Sequence, residues 1–172
     1  MIETPILQFG TSRFLQAHAA LFVSQALEQG QALGPITVVQ TTSSPESAAR
    51  VAALAGGAGY PVRIRGLRDG AEIDAEVRGR AIVQALQADR DWRQVRELAC
   101  GPVEVIVSNT GDRGFELDPG DGPALLDEAD RAPRSFVAKL VVLLHARWQR
   151  DPARPLTILP CELVARNGDT LR

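Results

Sequence analysis

The feature that most constrains this chain is a repeated alternation of short apolar runs with stretches of helical spacing. Four runs stand out: 5–9, 35–41, 102–108 and 155–159. The second is rich in β-branched residues, and each is followed by small or polar residues. Short runs this predominantly apolar read as buried strands. Between them lie helical patterns. Residues 14–29 place Phe14, Ala17, Leu21, Ala26 and Leu27 near one face, widened by Leu15, Phe22 and Val23, and Gly30 and Gly34 close the helix. Ser44-Pro45-Glu46 supplies an N-cap, a proline at the first helical position and an early acid, opening a helix that runs into Gly56-Gly57. Further helices are predicted over 89–99 and 134–149, the latter burying Phe136, Val137, Leu140, Val141, Leu144 and Trp148. Strands alternating with helices predict an α/β domain whose mainly parallel sheet carries helices on both faces.

One stretch departs from this pattern. From Tyr60 to Arg68 apolar and basic residues alternate, Asp69-Gly70 is a tight-turn signal, and Ile73, Ala75 and Val77 alternate with charged residues. This predicts a β-hairpin inserted into the main sheet or lying on its edge. Residues 111–130, rich in Asp, Glu, Gly and Pro, read as a solvated loop with a helical turn at 124–128. Its acids match no calcium-loop spacing, so no metal site is expected.

Charge narrows the function. Nineteen basic residues against twenty-one acidic ones give a net charge of −2, which argues against a nucleic-acid binder. No apolar run reaches the roughly 18 residues a membrane helix needs, and the first residues show no signal-type segment. A soluble, cytoplasmic protein without membrane partners is expected. Cys100 and Cys161 lack metal-type spacing and read as reduced thiols.

In parallel α/β sheets, ligands bind outside the carboxyl ends of the strands. Here those ends carry Gly10-Thr11-Ser12, Gln40-Thr41-Thr42, Ser108-Asn109-Thr110 and Cys161-Glu162. The first is a strand, a tight turn and a helix start, a geometry that offers free N–H groups to a phosphate. Ser12 and Leu15 stand where the usual Gly-x-Gly-x-x-Gly has its second and third glycines, so a plain βα turn remains the alternative to nucleotide binding. The acid that usually holds a ribose diol after the second strand is missing. Gln40 and Thr41 stand there, and their neutrality leaves NAD and NADP undiscriminated. His18 reads as a packed or capping residue, with a cofactor contact as the alternative, and His145 as a partner of its helix end. Lys139, the single lysine, is expected to flank the core and point to solvent. No catalytic residue is assigned.

An ordered set of segments then resembles a known family. Ile6-Leu7-Gln8-Phe9-Gly10 with Phe14-Leu15, Ile64-Arg65-Gly66-Leu67, Ser108-Asn109-Thr110 with Gly114, Ala138-Lys139-Leu140, and Leu159-Pro160-Cys161-Glu162-Leu163 with Asn167-Gly168-Asp169 are similar to the polyol and hexuronate dehydrogenases of the mannitol dehydrogenase family. Cys161-Glu162-Leu163 stands where the mannitol branch has Cys-Asp-Asn, which favours the hexuronate branch that reduces tagaturonate to altronate. Many relatives carry glycine at Ser12 and arginine at Gln16.

The resemblance implies a modified Rossmann fold that binds NAD, in two-domain enzymes without a catalytic metal. Their helical C-terminal domain supplies the substrate pocket and a catalytic lysine in a Lys-x-x-x-x-Asn-x-x-His motif, which this chain does not contain. Residues 1–172 are thus expected to form the N-terminal NAD-binding domain, inactive alone and meeting its sugar-acid or polyol substrate only with the second domain. Gly10, Thr11, Ser12, Arg13 and Phe14 are expected at the pyrophosphate, and Gln40 and Thr41 at the adenosine ribose. Ser108, Asn109 and Thr110 are expected near the nicotinamide ribose, with Glu162 at the edge. An exposed apolar interdomain face, and self-association through it, follow. A non-catalytic Rossmann-like binding domain that has lost cofactor use is the alternative.

Overall fold

The computed structural model describes residues 3–111 and 115–172. Asp112 of the acidic loop and Gly114 of the family resemblance lie outside the described residues. The main sheet contains β1 (Ile6–Phe9), β2 (Ile36–Gln40), β5 (Ile82–Gln87), β6 (Val105–Ser108) and β7 (Thr157–Pro160). All pairings are parallel, in the order β5-β2-β1-β6-β7. Along each strand successive side chains point to opposite faces. Ile6, Ile36, Val38 and Val107 therefore join one core, with Leu15, Ala20, Val51 and Leu54 from α1 (Arg13–Ala17), α2 (Ala19–Glu28) and α3 (Pro45–Ala55). Leu7, Phe9, Val39 and Ile106 join the other, with Trp92, Val95, Phe136, Leu140 and Leu143 from α4 (Ala88–Cys100) and α5 (Phe136–Arg150). The expected parallel sheet covered on both faces is what the chain forms.

Five details differ from the expectation. The strand β5 is absent from the sequence reading, because Gln84 and Gln87 interrupt its apolar pattern; Gln84 is accommodated by accepting a hydrogen bond from the Thr37 hydroxyl of β2 at 3.0 Å. The first helix is broken at His18 (φ −121°, ψ −85°), so α1 is barely more than one turn. The break turns Phe14 and Phe22 outward, 48% and 60% exposed, while Leu15, Ala20 and Leu21 make the core contact.

The hairpin β3 (Tyr60–Arg68) and β4 (Ala71–Gly79) is inserted between α3 and β5, and it forms its own antiparallel sheet rather than an edge of the main one. Its charges explain why: a sheet covered by helices on both faces has no place for Arg63, Arg65, Asp74 and Glu76. Asp69 at φ 53° and Gly70 at φ 80° form the predicted turn. The base is fastened to α1, where the Tyr60 hydroxyl donates to the Gln16 carbonyl at 2.8 Å.

The face of α5 is also rotated. Val141 and Trp148 are exposed, and Ala138, Lys139, Val142 and Arg147 are buried in their stead. The acidic loop ends in a 3₁₀ turn at Pro123–Leu126, and it is pinned rather than freely solvated. Asp121 accepts from the amides of Arg134 and Ser135 and from the Ser135 hydroxyl at 2.7–2.8 Å. Burial pushes the Asp121 carboxyl up, but these hydrogen bonds hold it below its ordinary value. No helix among the described residues is long and apolar enough to cross a membrane.

Candidate cofactor site

From β1 the chain steps outward through β2 to β5, then returns to β6 and on to β7. The direction of winding therefore reverses between β1 and β6, and the crevice at a parallel sheet's carboxyl edge opens at such a reversal. Its two walls are the turn after β1 (Gly10, Thr11, Ser12) and the turn after β6 (Asn109, Thr110).

The walls touch. Gly10 has φ +106°, and a Cβ there would collide with the Asn109 carbonyl, so only glycine lets the two turns approach this closely. Its amide donates to Val39 at 2.9 Å, and its carbonyl accepts from the Gln8 side-chain amide at 3.1 Å. Ser12 is the N-cap of α1, its hydroxyl accepting from the Leu15 amide at 3.2 Å. Arg13 and Phe14, the first helical residues, are exposed at the mouth. Because α1 is so short, local N–H groups rather than a long-helix dipole are what it offers an anion.

The structure separates the sequence-predicted site residues into two groups. Gly10, Ser12, Arg13, Phe14, Asn109 and Thr110 gather along the crevice, and half-buried Thr41 stands at the end of β2. Thr11, Gln40, Ser108 and Glu162 are buried beneath it. The Gln40 side chain accepts from the Thr11 hydroxyl and donates to the hydroxyls of Thr42 and Ser47 at 2.6 and 3.1 Å. It joins the turns after β1 and β2 instead of facing outward. Glu162 does the same on the other side, accepting from the Ser108 hydroxyl and from the amide and hydroxyl of Thr110 at 3.1–3.2 Å.

Other residues fall differently from their sequence reading. Lys139 does not point to solvent. It is 2% exposed and donates to the Arg134 carbonyl at 2.7 Å, and burial pulls its amine down to about 8. The reason is the rotated face of α5, which puts Lys139 on the core side beside Asp121. His18 has its Nδ1 3.0 Å from the Phe14 carbonyl and its ring between Phe14 and Phe22, which agrees with the capping reading. His145 stacks on Trp148, with its buried Nδ1 unpartnered among the described residues. Cys161 is half-buried, its thiol pushed up by burial and then by Glu162.

Three contributors were missed. Gln8 supports Gly10, Arg50 donates to the Thr11 carbonyl at 3.4 Å, and Asn167 donates to the carbonyls of Pro160 and Glu162 at 2.8 and 3.2 Å. For Gln8 a signal existed, since glutamine inside an apolar buried strand needs a specific polar partner. One such atom is still open: Gln8 Oε1 is buried with no hydrogen-bond partner among the described residues.

Comparison with known proteins bears on this geometry. No protein-family profile matches the chain. Among curated proteins, altronate oxidoreductase of Halalkalibacterium halodurans is 30% identical over 172 residues, covering 97% of this chain and 32% of that protein. Altronate oxidoreductase of Bacillus subtilis is 28% identical, covering 97% of this chain and 34% of its own length. The chain is a relative of the altronate oxidoreductases. It spans about a third of the length of the relatives it matches. Among solved structures, a substrate-free D-sorbitol dehydrogenase superposes with a TM-score of 0.76 at 20% identity, over 99% of this chain and 36% of that one. Mannitol 2-dehydrogenase of Pseudomonas fluorescens, a ternary complex with NAD and D-mannitol, gives 0.74 at 18% identity, over 98% and 35%. At these identities the likeness establishes the fold. It is the modified Rossmann fold implied by the resemblance to the mannitol dehydrogenase family, which the altronate oxidoreductase relatives bear out.

Proposed function

We propose that this chain is the dinucleotide-binding domain of an NAD-dependent oxidoreductase that interconverts a keto-hexuronate and its aldonate. The observation that carries the reading is the contact between Gly10 and the Asn109 carbonyl at the switch point of the sheet. Glycine there holds the turns after β1 and β6 against each other at the reversal of the sheet, where a parallel α/β fold receives its ligand. The altronate oxidoreductase relatives and the NAD of the mannitol 2-dehydrogenase complex support the cofactor class.

In this reading Gly10, Ser12, Arg13 and Phe14 meet the pyrophosphate, and Thr41 lies nearest the adenosine ribose. Asn109 and Thr110 lie on the nicotinamide side. Thr11, Gln40, Ser108 and Glu162 hold those turns from beneath. Bound dinucleotide supplies hydride exchange with the substrate carbonyl; this chain's residues bind and orient it. No acid stands at the end of β2, so NAD and NADP are expected to bind within about tenfold of each other. Residues 1–172 act as the N-terminal domain, and a second, helical domain supplies the substrate pocket and the general acid or base.

Titration of NADH fluorescence tests the cofactor assignment. Saturable binding by the folded chain is expected, and its absence would favour the non-catalytic alternative. The chain alone should not oxidise altronate or mannitol, and clear turnover would overturn the two-domain reading. Leu159 and Leu163, both exposed near the end of β7, belong to the face such a domain would cover. Self-association through it is expected, and a monodisperse monomer in light scattering would count against it.

A further inference from the structure

Glu162 looks at first like a ligand residue, an acid after the last strand at the carboxyl edge. Its surroundings say otherwise. The residue is 4% exposed, and both oxygens are occupied from within the protein. Oε2 takes the Ser108 hydroxyl at 3.1 Å, while Oε1 takes the Thr110 amide at 3.1 Å and its hydroxyl at 3.2 Å. The segment bearing Glu162 is itself fixed. Asn109 donates to the Cys161 carbonyl at 2.7 Å, and Asn167 donates to the carbonyls on either side of Cys161. The turn after β6 is therefore zipped to the segment after β7, and the same turn presents the Asn109 carbonyl to Gly10. A buried carboxylate is costly unless hydrogen bonds repay its desolvation, and a small apolar residue would close this gap without that cost.

We propose that Glu162 is a positioning residue: without touching the cofactor, it sets residues 108–110 against the Gly10 turn and so shapes the nicotinamide side of the crevice. This rests on the cofactor reading above. Loss of Glu162 leaves the Thr110 amide without its acceptor and frees the turn, while the Gly10 side keeps its own supports from Gln8 and Val39.

The test compares E162A and E162Q with the unaltered chain in three measurements: NADH affinity, AMP affinity and hydrogen exchange at the Thr110 amide. E162A should weaken NADH binding by about tenfold or more, as expected for two or three lost hydrogen bonds, and leave AMP binding unchanged. E162Q, which keeps an acceptor oxygen, should recover most of the loss. Thr110 protection should vanish in E162A and persist in E162Q. The proposal is overturned if E162A binds NADH normally, if NADH and AMP weaken together, or if E162Q is as weak as E162A. If the unaltered chain binds no dinucleotide, the cofactor reading fails separately; Thr110 exchange then decides, and unchanged protection in E162A overturns the positioning role. Should E162A not fold, S108A carries the test. A threefold or so loss of NADH affinity with faster Thr110 exchange is expected for one lost hydrogen bond, and no change in either overturns the role.

Discussion

At the carboxyl ends of the strands, the buried carboxylate of Glu162 collects amide and hydroxyl donors; at the amino ends, the buried guanidinium of Arg147 collects carbonyls. Arg147 donates to Ala99 at 2.6 Å, Val103 at 2.9 Å and Pro155 at 2.8 Å, joining the end of α4 to the segments that enter β6 and β7. The signs of the two hubs follow from backbone polarity. In a parallel α/β fold every strand ends where a helix begins, so the carboxyl edge is rich in unpaired N–H groups and wants acceptors. The opposite edge holds helix C-termini with unpaired carbonyls and wants donors. One edge is therefore predisposed to a carboxylate or an anionic ligand, and the other is sealed by a cation.

Lys139 breaks this rule. It is a cation in the first turn of α5, the unfavourable end, two turns from Arg147 on the same helix. Burial lowers both, but a guanidinium starts too high to lose its proton, whereas the Lys139 amine falls to about 8.

The largest expected effect is at the sealed edge. Arg147→Met strands the buried carbonyls of Ala99 and Val103, releases that of Pro155, and should destabilise the fold by about 3–5 kcal/mol in chemical denaturation. A loss under about 1 kcal/mol would mean that the carbonyls find other donors and that the two hubs are not equivalent. Next comes the open edge. Gly10→Ala forces a side chain into the Asn109 carbonyl at positive φ, and should cost about 2–3 kcal/mol together with dinucleotide binding. Retained affinity would show that the crevice can widen.

The exception sharpens the comparison through pH. The folded-state value of Lys139 lies below the unfolded one, so between about pH 8 and 10 the unfolded chain holds more protons and stability rises with pH. Tyr60 acts oppositely: burial raises its folded value to about 12, so its contribution is lost as pH climbs above about 10. The raised thiols of Cys100 and Cys161 oppose Lys139 over the same range, because they lose protons first in the unfolded chain. The Lys139 share is therefore read as a difference: the midpoint of Lys139→Met relative to the unaltered chain should fall from about pH 8 towards 10 and hold steady above it, where Tyr60 lowers both. The smallest effect belongs to neither edge. Asp74→Asn removes the Arg63 and Arg65 ion pairs on the hairpin, both exposed, and no resolvable change in midpoint is expected.

The sequence determined a good deal by itself. Short, mainly apolar runs ending in small polar residues read as buried strands, and their alternation with helices predicts a parallel sheet whose carboxyl edge gathers the candidate residues. Ser44-Pro45 and Asp69-Gly70 dictated a cap and a turn through local backbone chemistry. Only the tertiary structure decided which of those residues face the crevice. The direction of a side chain such as Gln40 or Glu162 depends on hydrogen-bond partners from other segments, Thr11 and Ser47 for one, Ser108 and Thr110 for the other. The break at His18 and the rotation of α5 have the same origin. Helical periodicity allows several neighbouring faces, and packing against the sheet selects the one that buries Lys139 and Arg147 and leaves Phe14 and Trp148 outside.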